Sequence, residues 1–270
     1  MQAQKKENSS EVEKSFGELI FRCNICGASC QTSMSNIGRE ISSCMLCYSS
    51  VRMRGIISCL SVSLFGESLA IDDFPERKDL IGIGLSDWET YASKLAEKFS
   101  YTNTYYHKEP MLDITNIRAG DAVDGREGVC DFLVSTDVFE HVTPPVSRAF
   151  ENAYKMLKPG GVFVFSVPYS LRQETTEHFP ELFDWRVEKE KEKGWVLYNK
   201  TRDGETQEFS DLVFHGGEGE TLEMRVFCKD HLLEELSGAG FTEVKIHSEP
   251  CFEHGIYWPQ GWSLPITAKK

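Results

Sequence analysis

Short apolar runs alternate with amphipathic helical patterns along most of the chain, and this alternation limits the fold more than any other feature. The runs "DLIGIG" (79–84), "DFLVST" (131–136) and "VFVFSVP" (162–168) are predicted strands. The stretches "DWETYASKLAEKF" (87–99) and "KDHLLEELSGAGF" (229–241) place apolar residues at helical spacing. This alternation of strands and helices predicts a doubly wound α/β fold, with a parallel sheet and right-handed crossovers.

The stretch "STDVFEHV" (135–142) begins at the end of one predicted strand. In open parallel sheets, ligands bind outside the carboxyl ends of the strands. Polar residues at such an end indicate a ligand site, although a polar loop that starts a helix is the alternative interpretation.

Residues 170–226 interrupt the alternation. They mix acidic and aromatic residues and include "WVLYNKTRDGETQEFSDLVF", a predicted hairpin with its turn at Asp203-Gly204. Long insertions near the ligand edge of a sheet usually shape or cover a pocket. We therefore expect an inserted β-hairpin region beside the ligand site.

Two CxxC pairs, "CNIC" and "CMLC", lie near the N-terminus. Two residues between thiolates let a tight knuckle aim both sulfurs at one ion, and two knuckles complete a tetrahedron, which predicts a zinc-ribbon-like module. Redox exchange by either pair is the alternative, and we interpret the nearby Cys30 as a buried small residue. Four thiolates leave no open coordination position, so the zinc is expected to be structural. The predicted ligands are Cys23, Cys26, Cys44 and Cys47.

We divide the chain into four parts. Residues 1–17 are polar and expected to be disordered. The zinc-binding module covers residues 18–50 and is followed by a connecting helix in residues 51–77. Residues 78–270 form the main domain, which contains the insertion.

Composition excludes some partners. The chain has 29 basic and 42 acidic residues, a formal net charge of -13, so no nucleic acid partner is expected. The N-terminus lacks the apolar core of a secretory signal. The apolar stretch "GIISCLSVSLFG" is too short to span a bilayer. We expect a cytoplasmic protein with no membrane contact.

With these elements in place, the chain resembles the class I S-adenosylmethionine-dependent methyltransferases, of the type 11/12-like kind. The resemblance rests on the order of "DFLVSTDVFEHV", "AFENAYKMLKPGGVFVFSVP" and "LLEELSGAGFTEV" over about residues 78 to 247, apart from the insertion. The stretches "CNICG" and "CMLCYSSVRMRG" are similar to a cysteine module that precedes the methyltransferase domain in one bacterial-type subgroup. The resemblance implies a Rossmann-like methyltransferase sheet and S-adenosylmethionine as cofactor.

The resemblance also implies where the cofactor binds. The glycine loop corresponds to "LIGIGLSDW", in which Leu80 stands where the family has an acid. Asp87 either replaces that acid by contacting the cofactor's amino group or is the N-cap of the next helix. His107 and Glu109 are the candidates for the ribose hydroxyls, with Glu109 favoured as a pure acceptor. The full set of cofactor-binding candidates is Gly82, Gly84, Ser86, Asp87, Glu109, Asp113, Ile114, Ser135, Thr136 and Asp137.

Within that set, the resemblance places Asp113 at the adenine amino group and Ile114 against the adenine ring. Ser135, Thr136 and Asp137 would lie beside the methionine part of the cofactor.

Three residues are candidates for a general base that activates the methyl acceptor: Asp137, His141 and His215. His141 has an alternative role, which is to hold the loop by hydrogen bonds. Glu223 and Arg225 either line an acceptor pocket or form a strand ion pair. Arg52 and Arg54 either bind an anionic group of the acceptor or form a solvated helix face.

We expect a methyltransferase acting on a small-molecule or glycan-like acceptor. The alternative is a catalytically weak or inactive protein of the same fold that binds a protein partner through its zinc module. Methylation of RNA or protein is a third interpretation, and the acidic balance weighs against RNA. A nicotinamide oxidoreductase is disfavoured because the first loop lacks a third glycine and an acid about 20 residues further on.

Overall fold

The computed structural model describes residues 17–270. Within them, the N-terminal elements are β1 (Glu18–Arg22), β2 (Ser29–Ser33) and α1 (Val51–Phe65). The main domain begins with β3 (Arg77–Leu85), α2 (Glu89–Lys98), β4 (Phe99–Thr104), β5 (Cys130–Thr136), α3 (Ser147–Met156) and β6 (Leu157–Ser166). The insertion holds β7 (Tyr169–Ser170), β8 (Thr176–Glu177), β9 (Asp184–Glu190), β10 (Gly194–Lys200), β11 (Thr206–Phe209), β12 (Phe214–His215) and β13 (Thr221–Leu222). The chain closes with β14 (Arg225–Cys228), α4 (Lys229–Ala239), β15 (Thr242–Ile246) and β16 (Ile266–Lys269).

A six-stranded sheet forms the centre, in the order β15-β16-β6-β5-β3-β4. Strands β3 to β6 are parallel, and β16 runs antiparallel to both of its neighbours. Helices α1 and α2 share a hydrophobic core with one face of the sheet, while α3 and α4 pack on the other. This arrangement confirms the predicted Rossmann-like fold.

The cysteine module, residues 18–50, does not stand apart from the sheet. Its buried Phe21 and Ile25 belong to the same hydrophobic core as Phe99 and Phe132 of the main domain. Gly17 is also ordered, because its carbonyl accepts a hydrogen bond of 3.1 Å from the backbone of Met34. The rest of the segment expected to be disordered lies outside the described residues.

The loop between β15 and β16 covers the module. His254 in this loop contacts the carbonyl oxygens of Arg22 at 3.0 Å and Ser68 at 3.1 Å. The carbonyl of Gly255 accepts a hydrogen bond of 2.8 Å from Arg54. This loop leads into β16, a strand that the sequence pattern did not reveal.

The insertion has a small core of its own, made by Phe179, Leu197, Leu222 and Met224. Strands β9, β10 and β11 form an antiparallel sheet, and the chain turns at Asp203-Gly204 between the last two, as predicted. Among residues 17–270, no helix has both the length and the apolar character that a bilayer crossing requires.

Candidate active site

A cavity of roughly 700 Å³ opens at the carboxyl ends of β3, β4 and β5, within the range of small-molecule and cofactor sites. The insertion closes its other side with Trp185, Trp195 and Phe214. Seven of the predicted site residues line it: Ser86, Asp113, Ile114, Thr136, Asp137, His141 and His215. Five do not: Gly82, Gly84, Asp87, Glu109 and Ser135.

The two glycines of the predicted loop lie inside β3 and make room for packing. A Cβ at Gly82 would stand 2.1 Å from the ring of Phe132. A Cβ at Gly84 would stand 2.2 Å from the hydroxyl of Tyr101 and 2.5 Å from the carboxylate of Asp87. The turn itself falls on Ser86, which has a left-handed φ of 55° and lines the cavity.

Asp87 lies under that turn, with only 4% of its surface exposed. Its carboxylate accepts hydrogen bonds from the hydroxyls of Tyr91, at 2.7 Å, and Tyr101. Burial raises the pKa of the carboxyl to about 6, although both hydroxyls lower it. The predicted N-cap role is wrong, because the N-cap of α2 is Trp88. The carboxylate instead ties β4 to the start of α2.

The two residues predicted to reach the ribose, His107 and Glu109, have different positions. Both follow β4, which ends at Thr104. Thr104, Tyr105 and His107 line the cavity, whereas Glu109 lies outside it and accepts a hydrogen bond of 3.1 Å from the backbone of Met111. The chain folds back after Thr104 because the amide of Tyr105 donates to the carbonyl of Pro110 at 2.9 Å.

Asp113 and Ile114 follow this turn. One carboxylate oxygen of Asp113 accepts bonds from the amide of Thr115 at 2.9 Å and from its hydroxyl at 2.6 Å. Ile114 is 6% exposed, and Asn152 donates to its carbonyl at 2.8 Å. The segment is therefore fixed, with a carboxylate and an apolar side chain turned to the cavity.

Asp137 directly follows β5 and has a left-handed φ of 52°. Arg39 of the module donates to both of its carboxylate oxygens, at 2.8 and 3.0 Å, and Arg52 lies 3.1 Å away. The Ser166 hydroxyl adds a bond of 2.7 Å. Burial alone would raise the pKa of this carboxyl, but the charges of Arg52 and Arg39 outweigh it and hold the pKa below its usual value. Such a carboxylate is a weak proton acceptor.

Thr136 also faces the cavity, with its hydroxyl 3.3 Å from that of Tyr91. Ser135 is fully buried within β5, and its hydroxyl oxygen has no hydrogen-bond partner among the described residues.

His141 and His215 meet on the insertion side of the cavity, with their ring centroids 4.7 Å apart. His141 Nδ1 lies 2.9 Å from the Leu222 carbonyl, and His215 Nε2 lies 3.0 Å from Glu223. Glu140 Oε1 lies 3.6 Å from His141 Nε2 and 3.9 Å from His215 Nδ1. The Glu140 side chain is fully buried, and neither of its carboxylate oxygens has a hydrogen-bond partner among residues 17–270. Burial raises the pKa of Glu140 and lowers that of His141.

Glu223 and Arg225 do not form the strand ion pair considered above. Glu223 contacts His178 and His215, both at 3.0 Å. Arg225 is buried, bonds to Glu177 at 2.6 Å and holds the Phe139 carbonyl at 2.9 Å. The two side chains therefore support the turn that carries Glu140 and His141.

The four predicted metal-binding cysteines converge. Their sulfurs lie within 4.8 Å of one another, with Cys23–Cys47 at 3.7 Å and Cys26–Cys44 at 3.6 Å. Cys30 is buried, and its sulfur is also 3.6 Å from that of Cys44.

The alternative of a solvated helix face is wrong for Arg52 and Arg54. Arg54 is fully buried beside the cysteines and donates to the Ser49 carbonyl at 2.6 Å and to the Ser43 hydroxyl at 2.7 Å. Arg52 bonds to Glu40 at 2.8 Å.

Comparison with known proteins agrees with this geometry. A family model described as a methyltransferase domain matches residues 70–242. The chain therefore belongs to the methyltransferase-domain family, and its fold is that of the S-adenosylmethionine-dependent methyltransferases. A search of curated protein sequences returns no match.

Several solved structures are similar at low identity. One is the 1,6-didemethyltoxoflavin-N1-methyltransferase of Burkholderia thailandensis with bound S-adenosylhomocysteine, at 15% identity and TM-score 0.45, covering 81% of this chain and 78% of that one. Another is an amino pentose methyltransferase from Micromonospora echinaspora, at 11% identity and TM-score 0.42, covering 82% and 92%. A sugar N-methyltransferase from Streptoalloteichus has 14% identity and TM-score 0.40, covering 71% and 80%. These low values do not identify an acceptor.

Several residues of the site were not predicted. Arg39 has no motif around it, and only the fold brings it to Asp137. Glu140 gave a weak signal by standing next to His141 after a predicted strand. Trp185 and Trp195 were visible only as part of an aromatic insertion.

Proposed function

We propose that this protein is an S-adenosylmethionine-dependent methyltransferase with a small-molecule or glycan-like acceptor. The observation that carries the proposal is that one cavity has two different sides. The carboxyl ends of β3, β4 and β5 bound one side, and aromatic residues of the insertion bound the other. A cofactor and an acceptor need to share one enclosed space, because methyl transfer requires both reactants in line.

The sheet side suits the cofactor. Ser86 would bound the methionine part, Asp113 would accept from the adenine amino group, and Ile114 would pack on the ring. Thr104 and His107 replace Glu109 as our candidates for the ribose. When bound, S-adenosylmethionine supplies a methyl group already activated on a sulfonium. The chain is left to orient the reactants and exclude water, an effect of up to about 7–11 kcal/mol.

The insertion side suits the acceptor. Trp185, Trp195 and Phe214 give it aromatic faces, which pack well against sugar rings or flat heterocycles. Polar recognition on this side comes from His141 and His215. Asp137 is a poor candidate for the general base, because Arg39 and Arg52 both contact its carboxylate. We propose instead that Asp137 holds the carboxyl end of β5 in place beside the cofactor through its contacts with the two arginines.

We also propose a structural zinc ion on Cys23, Cys26, Cys44 and Cys47. A tetrahedral ion with zinc–sulfur distances of about 2.3 Å separates its ligands by about 3.8 Å. The observed sulfur pairs, at 3.6 and 3.7 Å, are close to that spacing. The positive charge of Arg54 beside the cluster would offset the net negative charge of four thiolates on one zinc ion.

The test is calorimetric titration of the full-length protein with S-adenosylmethionine and S-adenosylhomocysteine. We expect micromolar binding that Asp113→Asn weakens. Glu109→Gln is the matched control, because this acid belongs to the same loop but lies outside the cavity, and it should leave affinity unchanged. Equal loss in both variants, or none in Asp113→Asn, would contradict our assignment of the adenine side.

A role in partner binding has one observation in its favour. Met45 and Leu46, at the tip of the second knuckle, are 75% and 66% exposed, as is Tyr48 at 68%. If neither cofactor compound binds to folded protein, this alternative becomes the leading one. The next experiment would then ask whether Met45→Ser with Leu46→Ser abolishes a protein interaction while zinc content stays constant.

A further inference from the structure

We propose that Glu140, His141 and His215 bind a divalent transition-metal ion at the acceptor end of the cavity, separate from the cysteine site. Their candidate ligand atoms lie within 4.8 Å of one another. Two histidines and one carboxylate form a ligand set that zinc and iron(II) enzymes use with coordination positions left open. The inference goes beyond the proposed methyl transfer, since it concerns a metal ion bound beside the acceptor.

His141 is oriented for this role. Its Nδ1 lies 2.9 Å from the carbonyl oxygen of Leu222, which can only accept a hydrogen bond. The proton must therefore be on Nδ1, and Nε2 presents a lone pair. That lone pair is on the side of Glu140, whose Oε1 is 3.6 Å from Nε2. A backbone carbonyl that accepts a hydrogen bond from the nitrogen not bound to the metal is a common outer partner of a metal-binding histidine.

His215 has a different partner on its far side. Its Nε2 lies 3.0 Å from the Glu223 carboxylate, whose negative charge favours a proton on that nitrogen. The opposite nitrogen, Nδ1, then carries the lone pair and lies 3.9 Å from Glu140 Oε1. A carboxylate behind the imidazole raises its basicity as a metal ligand. His178 contacts the other oxygen of Glu223 at 3.0 Å but is not one of the three candidate ligands.

Glu140 supplies the independent observation. Its side chain is fully buried, and neither carboxylate oxygen has a hydrogen-bond partner within the described part of the chain. An unpaired buried carboxylate is costly unless a cation or proton satisfies it. Its distances to both imidazole nitrogens exceed hydrogen-bond length. They are below about 4.2 Å, the widest separation that one ion with bonds of about 2.1 Å can bridge.

His141 and His215 line the cavity, so coordination positions not filled by protein would face the acceptor. Such an ion would bind an oxygen or nitrogen of the acceptor and orient it. The cysteine site differs in kind, because its four thiolates leave no open position.

The test is metal stoichiometry of purified full-length protein titrated with zinc, with free metal removed before elemental analysis. We expect two zinc ions per chain in the wild type and one in His215→Ala. Glu223→Gln should weaken the second ion by about 10–100-fold, because it removes an outer partner. His178→Ala is the matched control, since this histidine contacts the same glutamate without being a ligand, and it should retain two ions.

Cobalt(II) gives a second readout that also applies if His215→Ala folds poorly. The cysteine site should show strong thiolate-to-cobalt absorption, whereas the second ion should add only weak visible bands that Glu140→Gln removes. One ion per chain in the wild type, or two in folded His215→Ala, would overturn the proposal and leave the histidines as candidates for a general base. Because these readouts need no turnover, failure here is distinguishable from failure of cofactor binding.

Discussion

Arg39 donates hydrogen bonds to both carboxylate oxygens of Asp137, at 2.8 and 3.0 Å, although the two residues are 98 positions apart in sequence. Arg39 belongs to the cysteine module, and Asp137 directly follows β5, a central strand of the sheet. The pair is well shielded, with side-chain exposures of 17% and 16%. The module is thereby bound to the edge of the sheet where the cavity opens.

Replacing Asp137 with asparagine should destabilise the protein strongly. The change leaves Arg39 and Arg52 with the more exposed carboxylate of Glu40 as their remaining charged partner. Breaking a buried pair from one side typically costs about 3–5 kcal/mol. Chemical denaturation of zinc-loaded protein measures the change in the free energy of unfolding.

The control for this variant is Glu243→Gln, which removes the exposed pair with Lys269. Exposed pairs contribute about 0–1 kcal/mol, so this control should stay near wild type. Equal effects of the two substitutions would mean that the Arg39–Asp137 contact has no special weight.

Loss of metal from the cysteine module should weaken cofactor binding at a distance. Cys26→Ser removes one predicted zinc ligand and loosens the segment that carries Arg39, which then no longer restrains Asp137. We expect at least a roughly tenfold rise in the Kd for S-adenosylhomocysteine, equivalent to about 1.4 kcal/mol. Calorimetry alongside zinc analysis measures both quantities.

Cys251→Ser is the control for loss of a thiol, because Cys251 is a half-buried cysteine outside the metal cluster. It should keep both zinc and affinity. Unchanged affinity in Cys26→Ser protein that has lost its zinc would show that the module and the cavity act independently.

Gly84→Ala should reduce stability, because the added methyl group collides with the Tyr101 hydroxyl and the Asp87 carboxylate. Overpacking of this kind costs about 1–3 kcal/mol. Gly238→Ala is the opposite case, since its methyl group meets no atom within 4 Å and α4 gains about 0.5–1 kcal/mol of helix stability. Thermal unfolding of the two variants should shift in opposite directions. A neutral Gly84→Ala would show that the strand can move to accept a side chain.

Asp87 should make stability depend on pH in a definite direction. Its folded pKa of about 6 lies above the ordinary value of 3.8, so the folded state holds the proton longer than the unfolded state. The free energy of unfolding therefore falls as pH rises from about 4 to about 6, by up to about 1.4 kcal/mol per pH unit.

The variant Asp87→Asn has no titrating group at this position, so comparison with the wild type isolates the contribution of Asp87. The difference in unfolding free energy between wild type and variant should shrink or reverse in favour of the variant as pH increases from 5 to 7. Both proteins are compared at matched zinc concentration, so metal binding cancels. A difference that is constant over this interval would place the pKa of Asp87 near its ordinary value.

Periodicity and short motifs were sufficient for much of the fold. The main strands and helices of the parallel sheet are local patterns, and the residues that follow β5 reach the cavity because strand ends in such a sheet meet at one edge. β16 escaped detection because "ITAK" is short and has no alternation of its own. It becomes a strand only by pairing with β6 and β15.

The site was harder to predict than the fold, for a related reason. A GxG pattern indicates where the backbone is free to turn, but it does not indicate which side chains pack beside it. Here Phe132 and Tyr101 occupy the space beside Gly82, and Tyr101 also occupies the space beside Gly84. Glu109 lies outside the cavity because the chain folds back after β4, and this turn has no strong local pattern. The ion pairs of Asp137 depend on Arg39, which no local pattern connects to it.

The contact of His254 with Arg22 joins positions 232 apart in sequence. The cysteine module is therefore synthesised well before the loop that covers it. Until that loop has been made and has folded back, the module stays incompletely covered, and such non-local closure is slow. A protein truncated before residue 247 would leave the apolar side of the cysteine module uncovered, so an error late in the described chain would appear as instability of a segment made much earlier.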